Sequence, residues 1–135
     1  MDIEYKLVEH QKKFLMSDKP TVVLNCGRSS GKTFIASLIA ALKLNEGKRM
    51  FVWAQDYSRL EQNLLNEIGN RLEEMKIKYH RNYNNHVITS GKGIIYGLSY
   101  ENIEACRGYT EISIAICDEV ALAPANFFGT MAFCM

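Results

Sequence analysis

A lysine and a hydroxyl side chain follow a glycine in the triplet Gly31-Lys32-Thr33. The triplet lies between a short apolar run and a stretch of helical periodicity, which is the context of a phosphate-binding P-loop. In such a loop, backbone N–H groups and the helix N-terminus point at one spot and surround phosphate oxygens. Lys32 would add positive charge at the β and γ phosphates, and the Thr33 hydroxyl would bind Mg²⁺. The triplet therefore predicts a nucleotide site.

The loop departs from the strict pattern at its first position. The full motif requires glycine at position 26, where this chain has Cys26, with Gly27 one place later. A bare triplet of this kind arises by chance in about one chain of this length in twenty, as estimated from average composition. The loop alone therefore does not establish the site.

Two carboxylates supply a second half of the site. Asp118-Glu119 ends the apolar run ISIAICDE, 86 positions after Lys32 (118 minus 32). Parallel strands end at the same edge of a sheet, so Asp118 can reach the Mg²⁺ held by Thr33, and Glu119 can polarise the attacking water. The alternative for the acidic pair is a helix N-cap followed by a first-turn acid.

Strands and helices alternate along the chain and would position these residues. Apolar periodicity, β-branched runs and turn residues predict a helix over 5–16, strands over 21–24, 49–54 and 112–117, helices over 32–44 and 58–76, and a hairpin of 86–89 with 93–96. The sequence Ser58-Arg59-Leu60-Glu61 fits a capping box at a helix start. We expect an α/β fold with a mainly parallel sheet flanked by helices and a β-hairpin insertion.

Composition indicates one globular domain over residues 1–135. The chain has 16 Lys and Arg against 15 Asp and Glu and is 47% apolar, which excludes disordered and fibrous classes. Its longest nearly apolar stretch, 34–44, is shorter than the roughly 20 residues that span a bilayer, and the N-terminus is not signal-like. The four cysteines (Cys26, Cys106, Cys117, Cys134) lack C-x-x-C spacing. We interpret them as reduced thiols in a cytosol, with disulfides or a metal site as the alternative.

Several motifs together resemble the ATPase domain of the large terminase subunit of tailed bacteriophages. They are the loop CGRSSGKT with Arg28 inside it, Gln11 upstream, Arg107 in the triplet RGY before an apolar strand, and Asp118-Glu119 at the end of that strand. The resemblance covers about residues 7–123. It implies a P-loop ATPase whose ATP hydrolysis drives double-stranded DNA through the portal into an empty procapsid.

The resemblance also implies roles for individual residues. It makes Lys32 and Thr33 the Walker A residues, Asp118 and Glu119 the Walker B pair, and Gln11 the glutamine that contacts adenine. ATP and Mg²⁺ would be the cofactors, with Thr33 and Asp118 as the metal ligands. The remaining nucleotide contacts would come from the loop residues Gly27, Arg28, Ser29, Ser30 and Gly31.

Two arginines have more than one interpretation. Arg28 matches the arginine that terminases carry in the loop, where it would stabilise or sense the γ-phosphate; a solvated loop arginine is the alternative. Arg107 resembles a family arginine that reaches into the neighbouring subunit's site as a finger. A salt bridge with Glu104 or Glu111 is the alternative for Arg107.

The resemblance implies partners and a location as well. We expect a homo-oligomeric ring that works with DNA, the portal protein and the small terminase subunit in the cytoplasm of the infected bacterium, with no membrane partner. Residues 1–135 would be the front part of the motor domain, without the coupling strand and the nuclease domain, and on their own weakly active or inactive. The alternatives are a helicase-like, nucleic-acid-remodelling ATPase and a nucleotide-binding module without turnover.

A tyrosine-rich stretch offers a candidate DNA contact. Residues 76–100 contain four Lys or Arg, no Asp or Glu, and tyrosines at positions 79, 83, 96 and 100. Basic residues interleaved with aromatic ones suit a DNA backbone. The alternative is a solvated hairpin, which the net charge of +1 favours because it provides no overall basic field.

Overall fold

The computed structural model describes residues 22–26, 32–118 and 123–132. The helix over residues 57–74 runs without interruption through an α-helical turn, a π-helical segment and a second α-helical segment. A 3-10 segment, interrupted at Asn102, follows the longest strand. The elements are β1 (Val22–Cys26), α1 (Lys32–Asn45), β2 (Arg49–Ala54), α2 (Tyr57–Arg59, Leu60–Leu65 and Asn66–Glu74), β3 (His80–Asn82), β4 (Val87–Ser90), β5 (Gly93–Ser99), the 3-10 segment (Tyr100–Gly108), β6 (Ile114–Asp118) and α3 (Phe127–Ala132).

One sheet of six strands forms the centre of the described structure. Its order is β1-β6-β2-β5-β4-β3. The first four strands of this order are parallel, and β4 and β3 continue the sheet antiparallel. An α/β fold with a parallel core is thereby confirmed. The predicted hairpin is present as β4 and β5 around Gly91, whose φ is 56°. However, β5 also pairs with β2 and thus belongs to the parallel core.

Both faces of the sheet are covered at the central strand β2. Along β2, Met50 and Val52 point to one apolar cluster and Phe51 and Trp53 to the other. The first cluster is completed by apolar residues of α1 and α2, and the second by residues of the 3-10 segment and α3. This arrangement explains why β2 is continuously apolar, because a parallel strand covered on both faces has no solvent side.

Helix α2 confirms its predicted face and corrects its predicted start. All six residues of the expected stripe are buried, namely Leu60, Leu64, Leu65, Ile68, Leu72 and Met75. The helix begins one residue earlier than predicted, and Asp56 is its N-cap, since its carboxylate accepts a hydrogen bond from the Arg59 N–H at 2.8 Å. The capping box at Ser58 was wrong, because Ser58 lies inside the first turn of the helix and Asp56 takes the N-cap position.

Strand β2 has its predicted bounds, and the other predicted elements among the described residues are present with shifted ends. Strand β1 ends two residues later than predicted, and β6 begins two residues later, after Glu111 with a φ of 60°. Strand β3 and the 3-10 segment were not predicted. The helix predicted over 5–16 lies outside the described residues. Within the part of the chain that the structure describes, no helix is long and apolar enough to cross a membrane.

Candidate nucleotide-binding site

The carboxyl ends of the parallel strands meet at one edge of the sheet. Cys26, the last residue of β1, is the register partner of Asp118, the last residue of β6. On the other side of β6, Trp53 is the partner of Cys117. The chain therefore leaves β1 directly beside Asp118 and enters the predicted loop, residues 27–31, at this point.

Helix α1 begins directly after the predicted loop. Lys32 is its first residue, Thr33 is partly buried in its first turn, and this turn carries no acidic residue. A helix N-terminus has unpaired N–H groups and a partial positive charge, so it attracts phosphate oxygens. The side chain of Lys32 lies outside the described part of the structure, as do the predicted site residues Gln11, Gly27, Arg28, Ser29, Ser30, Gly31 and Glu119.

The end of β6 is fixed by an aromatic residue from another strand end. The hydroxyl of Tyr100 donates a hydrogen bond to the Asp118 carbonyl oxygen at 2.9 Å. The Tyr100 ring is stacked on Trp53, with ring centroids 5.9 Å apart and planes 4° from parallel. Phe127 of α3 meets the same ring edge-on at 5.1 Å. Sequence reasoning missed Tyr100, because the predicted strand ended at residue 96 and β5 continues to Ser99.

The thiol of Cys117, the residue before Asp118, is unreactive. Burial raises the pKa of the Cys117 thiol from 9.0 to about 12, and a hydrogen bond with Tyr100 partly offsets this effect. A thiol with so high a pKa is neither a nucleophile nor a ready metal ligand. Cys106 is also a buried thiol outside any disulfide, and its Sγ lies 3.9 Å from the Thr130 carbonyl oxygen. Across the three described ranges, no cluster of His, Cys, Asp and Glu could hold a metal ion by itself.

The residues present fit a magnesium ion that is shared with a nucleotide. Mg²⁺ prefers hard oxygen ligands and usually takes one or two from protein, with water and phosphate oxygens supplying the rest. Thr33 offers a hydroxyl, and Asp118, half-buried at the carboxyl edge, offers a carboxylate. Such a set suits the ion when phosphate oxygens complete its coordination.

A comparison with known protein families shows to which family the chain belongs. The profile described as "Terminase large subunit, T4likevirus-type, N-terminal" matches residues 23–132. The chain belongs to this terminase family. The match covers the strands and helices that build the edge described above, from β1 to α3.

Solved structures share the terminase fold. The large terminase of a thermophilic bacteriophage superposes with a TM-score of 0.76 at 18% identity, covering 96% of this chain and 36% of that one. The large terminase ATPase domain of Thermus phage P74-26 superposes with a TM-score of 0.66 at 19% identity, covering 95% of this chain and 61% of that one. The terminase-family chain thus spans about a third of the first protein's length and under two thirds of the second's. No curated protein sequence matches it significantly.

Arg107 lies on the surface of this terminase domain, near the end of the 3-10 segment. Its guanidinium forms a salt bridge with Glu104, and both side chains are about half exposed. Of the two acids considered from the sequence, Glu104 is the one it contacts. An exposed pair of this kind contributes about 0–1 kcal/mol, so it leaves Arg107 able to exchange partners.

The tyrosine-rich stretch of the terminase domain is mostly engaged in packing. Tyr79 donates a hydrogen bond to Glu73 at 2.9 Å, and burial, followed by this bond, raises the pKa of Tyr79. Arg81 forms a salt bridge with Glu61 at 2.7 Å. Tyr83 is 63% exposed, and among the residues that the structure describes it is the only large apolar side chain that is exposed. These contacts favour the solvated hairpin over a DNA-binding surface.

Proposed function

We propose that the chain is the ATP-hydrolysing part of a phage DNA-packaging motor. The observation that carries the proposal is the register of β1 and β6, which sets Cys26 beside Asp118. The predicted Walker A loop leaves from the first of these residues, and the predicted Walker B acid is the second. Membership of the terminase family supports packaging of double-stranded DNA over helicase-like remodelling.

In the proposed mechanism, each residue has a limited task. Backbone N–H groups of residues 27–31 and of the first turn of α1 bind phosphate oxygens, and Lys32 adds charge at the β and γ phosphates. Thr33 and Asp118 would hold Mg²⁺, which would neutralise charge on the phosphates when bound. Glu119 orients the attacking water and accepts its proton.

The remaining proposed residues act at the borders of the site. Gln11 contacts adenine, and Arg28 stabilises the γ-phosphate from within the loop. Arg107 completes the site of a neighbouring subunit in a ring. The portal protein and the small terminase subunit are the proposed protein partners, and the cytoplasm of the infected bacterium is the proposed location.

The experiment compares Glu119→Gln and Lys32→Ala in the full-length protein by nucleotide calorimetry and phosphate release. Glu119→Gln should bind ATP nearly as the wild type does but lose turnover by about 10²–10⁴-fold, because it removes only the base. Lys32→Ala should weaken binding itself. Glu101→Gln, an exposed acid on the 3-10 segment, is the matched control and should behave as the wild type does. Wild-type turnover by Glu119→Gln would contradict the assignment.

A packaging assay tests the motor function separately from hydrolysis. Purified full-length protein is mixed with procapsids, ATP and linear duplex DNA, and the DNA that becomes nuclease-resistant is measured. We expect resistance with the wild type and none with Glu119→Gln. Hydrolysis without any protected DNA in the complete system would leave an ATPase and remove the packaging role.

A further inference from the structure

We propose that Tyr100 is a positioning residue of the nucleotide site, which holds the end of β6 so that the Asp118 carboxylate stays at the metal. The inference rests on the proposed function, since it concerns how that site keeps its geometry. No family motif quoted above includes Tyr100.

The hydrogen bond between Tyr100 and Asp118 lies where β6 extends past the end of its pairing with β2. The ladder between β2 and β6 ends at the pair Trp53 and Cys117, whereas on the β1 side Asp118 is still paired with Cys26. Asp118 therefore extends one residue beyond the support of β2. At this position the Tyr100 hydroxyl donates a hydrogen bond to the Asp118 carbonyl oxygen at 2.9 Å.

Tyr100 reaches Asp118 from a strand that is not adjacent to β6. It follows β5, and β2 lies between β5 and β6. Its ring crosses the end of β2 by stacking on Trp53 and is 5% exposed. An aromatic ring packed on two sides has little rotational freedom, so its hydroxyl is a fixed point.

The backbone at the base of Tyr100 is fixed as well. The Ser99 hydroxyl donates to the Gln55 carbonyl at 3.0 Å and accepts from the Glu101 N–H at 3.1 Å. These bonds attach the start of the 3-10 segment to the end of β2. The phenol is thus anchored at both ends, to β2 through its neighbour and to β6 through its own hydroxyl.

Position matters more here than the strength of one hydrogen bond. A displacement of about 1 Å at a reacting centre can lower a rate on the order of a hundredfold. Residues that orient metal ligands typically change metal affinity or activity by about 10–100-fold when they are removed. Loss of the Tyr100 hydroxyl should therefore appear in the metal dependence of nucleotide binding and leave the fold intact.

The test uses Tyr100→Phe in the full-length protein, with Tyr79→Phe as the matched control. Both variants lose a phenolic hydrogen bond at 2.9 Å, which Tyr79 makes to Glu73 on α2, and Tyr100→Phe also loses the hydrogen bond with Cys117. Calorimetry measures ADP affinity with and without Mg²⁺, and thermal melting measures stability. We expect Tyr100→Phe to reduce the gain in affinity from Mg²⁺ by about tenfold. Its affinity without Mg²⁺ and its melting temperature should match those of Tyr79→Phe.

Two results would overturn the inference alone. The first is a gain in affinity from Mg²⁺ that is the same in Tyr100→Phe and Tyr79→Phe. The second is an equal loss with and without Mg²⁺ together with a lower melting temperature, which would make Tyr100 a merely structural residue. A folded wild type that binds no ADP would overturn the proposed function, and the inference would fall with it.

Discussion

The guanidinium carbon of Arg71 lies 4.9 Å from the centroid of the Phe34 ring. Phe34 follows Thr33 in the first turn of α1, whereas Arg71 belongs to α2. The same guanidinium contacts Glu67 at 3.3 Å and Glu74 at 2.7 Å. Because both acids lie on α2, they hold the cation in place over the ring. This contact therefore connects α2 to the first turn of α1, which directly follows the predicted phosphate-binding loop.

Replacing Arg71 with methionine should destabilise the domain. Arg71 is 8% exposed, so the variant loses a desolvated cation over a ring and two charged hydrogen bonds. We expect the free energy of unfolding to fall by about 1–3 kcal/mol in urea titrations. Arg59→Met is the control, because the Arg59 side chain is 47% exposed and its nearest acid is 3.8 Å away. It should change stability by about 0.5 kcal/mol or less. Equal losses would contradict the role of Arg71.

The start of α2 offers a direct comparison of two caps. Asp56→Ala should lower the free energy of unfolding by about 1 kcal/mol, since it leaves the Arg59 N–H without its carboxylate partner. Ser58→Ala should change it by about 0.5 kcal/mol or less. Asp56→Asn keeps an acceptor and should recover most of the loss. If Ser58→Ala were the more damaging variant, the capping box would be restored.

Apolar periodicity was a sufficient guide to β2 and to the buried face of α2. Strand β2 has its predicted bounds, and the apolar stripe of α2 is buried at every predicted position. These features depend on burial, which acts through residue type and spacing and is therefore visible in the chain. The nearness of Asp118 to the end of β1 was also expected, because parallel strands share an edge. The roles of the site residues stay predictions.

Features that depend on partners distant in the sequence were not predictable in this way. Strand β3 is the polar triplet His80–Asn82, and it is a strand because it pairs with β4. The contact of Tyr100 with Asp118 joins residues 18 positions apart and requires β2 to lie between their strands. Strand order is a property of the whole sheet, so no local pattern at Tyr100 encodes it.

The buried thiol of Cys117 should make stability depend on alkaline pH. Its folded pKa is about 12 against 9.0 for an ordinary thiol, so below pH 9 both states keep the proton. Between these values the unfolded chain ionises and the folded chain does not, and the free energy of unfolding falls as pH rises. The slope attributable to this group is at most about 1.4 kcal/mol per pH unit.

Cys117→Ala removes that contribution and leaves the other ionising groups in place. Urea titrations of both proteins from pH 8 to pH 11 should give curves whose separation is constant below pH 9. Above it, the wild type should lose stability faster than the variant. Parallel curves over the whole range would mean that the folded thiol ionises normally.

The salt bridge between Glu104 and Arg107 allows the two functions of the arginine to be separated. Arg107→Ala should lower ATP turnover by about 10³-fold or more if the arginine acts as a finger. Glu104→Ala breaks the same salt bridge but keeps the arginine, so turnover should be preserved. Steady-state phosphate release from the full-length variants measures both. Matching losses in the two variants would assign Arg107 to the salt bridge alone.

Mixing experiments distinguish Arg107 from Arg28. An Arg107→Ala subunit beside a wild-type neighbour should have its site completed by that neighbour, whereas a loop arginine acts only in its own site. We expect turnover in mixed assemblies to exceed simple dilution for Arg107→Ala and to follow it for Arg28→Ala. Identical mixing curves would refute the distinction.

The place of β6 in the sheet sets an order of assembly. Strand β6 is inserted between β1 and β2, and Asp118 is 92 residues from its partner Cys26 (118 minus 26). Such a pairing closes a long loop and forms late, after the local helices and the hairpin. During synthesis, the edges of β1 and β2 that pair with β6 therefore stay unpaired until β6 leaves the ribosome. The two halves of the nucleotide site meet only at that step, so nucleotide capture through both halves reports that the sheet has closed.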